Sequence, residues 1–263
     1  MRLIYRPKGK AREYSPMALN VYSGGCDHGC GYCYCNGVAK GRWGLVGVPR
    51  DLKGLSGEAA KSGEQILMSF MADPYCKADV IHGKTREALL VLREAGCSVA
   101  LLSKGGERCL RDLDLFVGWP EGRIKVGATL TFFDEARSKQ EEPGAASPAE
   151  RIETLTALRA AGVKTWASIE PVIDPAESLA VMSVSLEHAD SYKIGKWNHD
   201  ARSLNTDWAA FARDAVSLMR DAGKRFYIKE GLRAFLPEGF LTAEESCPDS
   251  LCLPRRPEGW TRA

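Results

Sequence analysis

Three consecutive stretches decide the fold: Arg123-Ile124-Lys125-Val126-Gly127-Ala128-Thr129-Leu130-Thr131, then a helical pattern opened by Ser147-Pro148-Ala149-Glu150 and closed at Ala161-Gly162, then Lys164-Thr165-Trp166-Ala167-Ser168-Ile169. The first and last have strand length and β-branched or aromatic content. The middle one starts with Ser as N-cap, Pro at the first helical position and Glu two residues on, and stops at a glycine. A strand, a crossover helix and a second strand make a βα unit, whose strands lie parallel.

The same alternation extends in both directions. Strands are predicted over Ala18–Tyr22, Gln65–Met71, Ser98–Ser103, Ser191–Gly195 and Phe226–Lys229. Helices are predicted over Thr85–Ala95, Glu107–Phe116, Ala176–Glu187 and Thr206–Ala222. Six or seven strands are fewer than the eight of a closed barrel. The expected fold is α/β, a partial (β/α)6 barrel with a mainly parallel sheet. It is expected to occupy residues 17–235, after a basic arm over 1–16 and before an irregular Pro- and Gly-rich tail over 236–263. The arm carries Arg2, Arg6, Lys8, Lys10 and Arg12 with no acid before residue 13.

The composition suits a folded globular chain: 263 residues, 44% hydrophobic and 27% charged. It excludes a largely disordered, collagen-like or coiled-coil protein. The net charge of +2 demands neither nucleic acid nor an anionic membrane. No apolar run approaches the ~18 residues of a spanning helix, and Met1 to Lys8 lacks the apolar core of a secretory signal. No membrane partner and a cytoplasmic location are expected.

Strand periodicity adds a functional hint. Gly127, Thr129 and Thr131 share one face of their strand, opposite Ile124, Val126, Ala128 and Leu130. Ser69 and Asp73 fall on one face at the end of the strand beginning at Gln65. Ser168 and Glu170 do so at the end of the strand beginning at Lys164, and Lys104 follows Ser103. Small and polar residues thus gather at the C-terminal ends of successive strands, the rim that holds the active site in barrels of this type.

Nine cysteines in a reducing compartment do not suggest disulfides, and four of them crowd into Gly24-Gly25-Cys26-Asp27-His28-Gly29-Cys30-Gly31-Tyr32-Cys33-Tyr34-Cys35. The spacing Cys26-x3-Cys30-x2-Cys33 offers three thiolates from one glycine-rich loop. A four-iron, four-sulfur cluster normally takes four, so three would leave one iron open to a small molecule. Cys35 is expected to be a buried small residue, since a fourth ligand would close the cluster. Cys247-x4-Cys252 alone is too little for a second metal site.

This loop, with Tyr32 directly before the third cysteine, resembles the signature of the radical S-adenosylmethionine (SAM) superfamily. A narrower resemblance is to its spore photoproduct lyase-like branch. It rests on Pro7-Lys8-Gly9-Lys10-Ala11-Arg12-Glu13-Tyr14, Asn20-Val21-Tyr22, Ala72-Asp73-Pro74-Tyr75, Leu102-Ser103-Lys104, Glu142-Pro143-Gly144-Ala145 and Ile169-Glu170-Pro171-Val172, across roughly residues 7 to 200.

The resemblance implies a [4Fe-4S] cluster on Cys26, Cys30 and Cys33. It implies SAM on the open iron, cleaved by one electron to a 5′-deoxyadenosyl radical that abstracts hydrogen from a substrate. It places Tyr32 against the SAM adenine, Lys104 at the SAM carboxylate or ribose, and Thr129 and Thr131 along SAM. Asp73 is placed at the SAM amino group, and Ser69 and Glu170 join this cofactor-binding set.

Cys76 is the implied hydrogen-atom donor to the product radical, with Tyr34 as its relay. Tyr75, Trp197, Asn198 and His199 are candidates for the substrate mouth. The implied substrate is a nucleic-acid base, thymine-derived, in DNA or as a nucleotide, with flavodoxin or ferredoxin as reductant. The residues alone leave open a small metabolite or peptide as substrate, and an electron-transfer protein without SAM chemistry.

Overall fold

The computed structural model describes residues 2–35, 47–198 and 200–260. Its ten strands are β1 Ile4–Tyr5, β2 Met17–Leu19, β3 Tyr22–Ser23, β4 Val48–Pro49, β5 Ile66–Met68, β6 Val99–Ser103, β7 Ile124–Thr129, β8 Lys164–Val172, β9 Ser191–Lys196 and β10 Arg225–Ile228. Eight form one sheet in the order β1-β2-β5-β6-β7-β8-β9-β10, while β3 and β4 pair separately. Every neighbour from β2 to β10 is parallel, and β1 runs antiparallel on the edge. The expected α/β class and mainly parallel sheet are present, with seven parallel strands.

Two predicted elements differ. Ala18–Tyr22 divides, because β2 ends at Leu19 and Tyr22 turns away to pair with Pro49. Glu107–Phe116 is not one α-helix but a 3-10 helix over Gly106–Asp112 followed by an α-helix over Leu113–Val117. By contrast, Pro148–Ala160 follows its sequence signals, with the Ser147 hydroxyl accepting from the Glu150 N–H at 3.1 Å.

The helices cover the outer face of the sheet. Helix Lys84–Glu94 buries Ala88, Leu89 and Leu92 against the β5–β6 half. Helix Trp208–Asp221 buries Phe211, Ala212, Ala215, Val216 and Met219 against the β8–β10 half. Each large apolar side chain so buried contributes about 1.5–3 kcal/mol.

A small third cluster fills the inside of the sheet: Leu67, Ala100 and Trp166, with Tyr14, Phe70 and Leu102 against them. Trp166 donates to the Leu101 carbonyl at 2.9 Å and lies across Gly127, where a Cβ would stand 2.5 Å from the indole nitrogen. Only glycine fits there. Gly127 and Thr129 therefore face inward, as the alternation predicts, and Ile124 and Val126 pack outward.

The opposite ends of the strands have opposite fates. At the N-terminal ends the C-terminal segment plugs the sheet. Leu253 N–H donates to Gln65 Oε1 at 2.9 Å, Lys125 Nζ to the Leu251 carbonyl at 2.5 Å, and Lys193 Nζ to the Pro248 carbonyl at 3.1 Å. Burial pushes Lys125 down to about 7 and Lys193 to about 8.

The N-terminal residues are fastened across the molecule. Leu3 and Ile4 are buried, with their N–H groups on the Glu58 carboxylate. Arg6 pairs with Glu64 and Arg12 with Asp249. No helix among the described residues is long and apolar enough to cross a membrane.

Candidate active site

The C-terminal ends of β5 to β10 surround a cavity of about 470 Å³. Each strand contributes a polar side chain at or just past its end: Ser69, Lys104, Thr129, Glu170, Lys196 and Lys229, in strand order. The rim expected from periodicity is therefore a single concave site.

The cysteine loop forms one wall. Cys30 and Cys33 face the cavity. Cys26 packs against the core, and its Sγ lies 3.5 Å from the Asp73 N–H. The segment Glu142-Pro143-Gly144-Ala145 clamps the loop: Gly144 N–H donates to the His28 carbonyl at 2.8 Å, and Gly31 N–H to the Glu141 carbonyl at 2.9 Å. A Cβ on Gly144 would stand 2.2 Å from the Asp27 carbonyl oxygen, so this approach also requires glycine.

His28 is buried, which lowers its pKa. It sits between Asp73 (3.6 Å from Nδ1) and Arg108 (3.3 Å from Nε2). Burial pushes the Cys26 and Cys30 thiols up, so loading a metal here displaces protons from these sulfurs. Three soft sulfur donors on one clamped loop, two of them open to the cavity, fit an iron–sulfur cluster.

Beside the loop runs a buried polar chain. Lys104 Nζ contacts the Tyr32 hydroxyl, lies 4.6 Å from the centre of its ring, and is 3.1 Å from Glu142 Oε1. Glu142 is also bonded by Tyr32 and by Arg151, both members of that buried ion pair being at most 1% exposed. Arg151 additionally donates to the carbonyls of Thr129 (2.9 Å) and Ala146 (3.0 Å), which ties the end of β7 to the clamp. Burial lowers the Lys104 pKa and raises that of Glu142, which Arg151 opposes.

A second network lies under β8 to β10. Glu170 accepts from the Tyr14 hydroxyl at 2.6 Å, from Lys229 Nζ and from Asn198 Nδ2 at 3.2 Å. Lys10 Nζ donates to Asn198 Oδ1. A Cβ on Gly195 would meet Glu170 at 2.8 Å and Lys229 at 2.9 Å, so the glycine lets these side chains lie over β9.

Four expected site residues lie elsewhere. The Asp73 carboxylate does not line the cavity: it accepts from Ser103 Oγ (2.6 Å), Lys104 N–H (2.6 Å) and Tyr75 N–H (2.8 Å), the work of a strand stop. Thr131 lies past the end of β7, fully buried behind Tyr32. Cys76 is fully buried, at the start of helix Lys77–His82, and is not among the residues lining the cavity. Tyr75 is buried with its hydroxyl on Asp112 at 3.0 Å, so it does not reach the mouth. Trp197 and Asn198 do line the cavity, and His199 falls outside the described residues.

Tyr34 lines the cavity and donates to the Phe70 carbonyl. Cys35 is buried, with its sulfur 3.7 Å from the Phe70 and Met71 carbonyls and hydrogen-bonded to Cys33. Cys252 is half-buried beside Gln65, in the C-terminal plug. The sequence reading missed Tyr14, Glu142 as a side-chain ligand, Arg151, Lys196 and Lys229. Glu142 and Tyr14 stood inside quoted motifs, whereas nothing local marks the other three.

The radical SAM superfamily model matches residues 20–189. The chain belongs to the radical SAM superfamily. The cofactors of this family are a [4Fe-4S] cluster and SAM. An uncharacterized protein of Methanocaldococcus jannaschii is 32% identical over 160 residues, which cover 59% of this chain and 60% of that protein. The chain therefore matches less than two thirds of that curated relative.

Among solved structures, Streptococcus suis SuiB bound to SAM aligns with 14% identity and a TM-score of 0.62, over 86% of this chain and 53% of that one. The chain thus spans about half of SuiB. Spore photoproduct lyase complexed with dinucleoside spore photoproduct aligns with 13% identity and a TM-score of 0.63, over 85% and 78%. At such identities these two likenesses concern the fold.

Proposed function

We propose that this enzyme holds its cluster on Cys26, Cys30 and Cys33 and uses the cavity above them to abstract hydrogen from a nucleic-acid base, thymine-derived in the simplest case. The observation that carries the proposal is that Cys30, Cys33, Tyr32, Lys104, Ser69 and Thr129 all open into one cavity whose remaining wall is mainly apolar and includes several aromatic and lysine side chains. Bound there, the cluster and SAM supply one-electron cleavage of SAM to a hydrogen-abstracting radical.

The chain's own residues do the rest. Lys104, held by Tyr32 and Glu142, offers its ammonium to the SAM carboxylate, a charge-assisted contact. The Tyr32 ring is the surface for the adenine, and Ser69 and Thr129 are hydrogen-bonding positions along it. Tyr14, Tyr34, Phe70 and Trp197 give flat apolar faces of the kind that stack on a base, and they keep water from the reacting carbon.

Two further observations support the base reading: spore photoproduct lyase, with its dinucleoside ligand, shares the fold, and the resemblance in sequence runs through the same rim. The electron comes from a flavodoxin- or ferredoxin-like donor. The test is anaerobic incubation of the reconstituted enzyme with SAM, dithionite and thymine nucleosides, nucleotides or DNA. Mass spectrometry then reads both 5′-deoxyadenosine and the modified base. Substrate-dependent 5′-deoxyadenosine with a mass change on a base is expected. Turnover only with a peptide, the kind of ligand SuiB binds as its precursor peptide SuiA, would replace the base reading.

A further inference from the structure

The rim at β8 to β10 carries an excess of positive charge that the cluster chemistry does not use. Lys8, Lys10, Lys196 and Lys229 line this side of the cavity, against one carboxylate, Glu170. Glu170 is consumed by Lys229, whose side chain is 4% exposed. Among the described residues Lys8, Lys10 and Lys196 have no carboxylate partner.

The Lys10 ammonium and the Lys196 side-chain stem meet beside Gly231. The Lys10 Nζ and Lys196 Cγ atoms both stand 4.0 Å from the Cβ position of Gly231, and Asn198 Oδ1 stands 3.8 Å from it. The Lys196 ammonium is steadied by two aromatic faces, 5.2 Å from the Trp208 ring centre and 5.4 Å from that of Phe235.

We propose that Lys10 and Lys196, with Lys8 beside them and Asn198 positioning Lys10, bind the phosphate of a mononucleotide substrate. The inference rests on the base reading above and names the form in which the base arrives. Ammonium groups without a carboxylate partner give this wall a positive potential, which is complemented by a group carrying close to two negative charges and three acceptor oxygens, a phosphomonoester.

The N-terminal segment argues for a free nucleotide over a polymer. Tyr5, Pro7 and Ala11 are themselves wall residues. The segment is fastened by β1–β2 pairing, by Glu58 and by the Arg6–Glu64 and Arg12–Asp249 pairs. Its Lys8 and Lys10 thus serve the cavity, and a continuous strand of DNA would have to lift it.

The experiment is equilibrium binding to the reconstituted, SAM-loaded protein, with thymidine, thymidine 5′-monophosphate, inorganic phosphate and a short single-stranded oligothymidylate without terminal phosphates. The monophosphate is expected to bind roughly tenfold or more tightly than thymidine, since it alone makes the charge-assisted contacts. Inorganic phosphate competes with it. In the double variant Lys10→Gln/Lys196→Gln that preference falls to near one while thymidine binding persists.

Equal affinity of nucleoside and monophosphate in the wild type overturns the phosphate site and leaves the base reading standing. Phosphate binding that is lost in the double variant, without binding of either thymidine or its monophosphate, keeps the site and removes the base. Tighter, strongly salt-dependent binding of the oligonucleotide overturns the mononucleotide. Should the double variant not fold, the wild-type ratio and the phosphate competition decide the matter alone.

Discussion

The two halves of the rim are built on opposite electrostatic plans. Around β5 to β7 the charges are paired and buried: Lys104 with Glu142, Glu142 with Arg151, His28 between Asp73 and Arg108. Around β8 to β10 only Lys229 is matched, by Glu170, and the remaining lysines look into the cavity. A buried ion pair is a costly device for stability and a good one for holding a side chain in one orientation. In the proposed function the first half is a fixed cradle for a cofactor whose shape does not vary. The second, in the same proposal, is a surface that a substrate completes.

The most drastic way to test this division is to remove a ligand. Cys30→Ala is expected to lose the iron and all SAM cleavage. Cys35→Ala, on the same segment but turned toward the Phe70 and Met71 carbonyls, is expected to keep both. Iron content, the visible absorption of the cluster and 5′-deoxyadenosine yield read the outcome.

Next come the two carboxylates. Glu142→Ala leaves Arg151 buried without its partner, and Glu170→Ala does the same to Lys229. Each is expected to cost about 3–5 kcal/mol in urea unfolding, the usual effect of breaking one side of a buried pair. The comparison sharpens in binding: SAM affinity falls in the Glu142 variant and holds in the Glu170 variant. A loss of SAM affinity in both would erase the distinction between the halves.

Lys104→Ala has a smaller and more local effect. Iron content stays, and SAM binding weakens by the roughly 1.5–3 kcal/mol of a charge-assisted hydrogen bond. SAM affinity unchanged in isothermal titration would remove Lys104 from the cradle.

The smallest effect lies at the other end of the strands and belongs to neither half. Lys125 and Lys193 are held by burial at about 7 and about 8, below the value near 10.4 they regain on unfolding. Between pH 7 and 10 the unfolded chain therefore binds more protons, so stability rises with pH, by at most about 1.4 kcal/mol per pH unit for each lysine. Below about pH 6 both lysines are charged in both states and that dependence vanishes. Lys125→Met is expected to flatten the rise in urea midpoints across this window and to leave SAM and nucleotide binding alone.

The cradle half was legible in the sequence because its chemistry is local. Three cysteines within eight residues, and Lys104 directly after a strand, carry their meaning in their spacing. The strand alternation likewise announced the cavity face, down to Gly127 and Thr129. Periodicity failed where a strand stopped early: β7 ends at Thr129, so Thr131 leaves the inner face. Asp73 and Cys76 sit just past β5, where the chain has already turned to serve the backbone and the core.

The lysine half was nearly invisible for a different reason. Lys10 meets Asn198 across 188 residues, and Tyr14 meets Glu170 across 156, so no window of sequence contains either pair. The five cations before residue 13 read as a basic arm. In the fold, two of them take carboxylate partners and two enter the cavity.

The central claim is that three cysteines, not four, hold the cluster and leave one iron for SAM. Electron paramagnetic resonance of the reduced cluster, with and without SAM, addresses it directly. The account predicts that SAM changes the spectrum of the wild-type protein and of Cys35→Ala alike. A spectrum indifferent to SAM, together with loss of the cluster in Cys35→Ala, would mean a closed four-cysteine site and would contradict it.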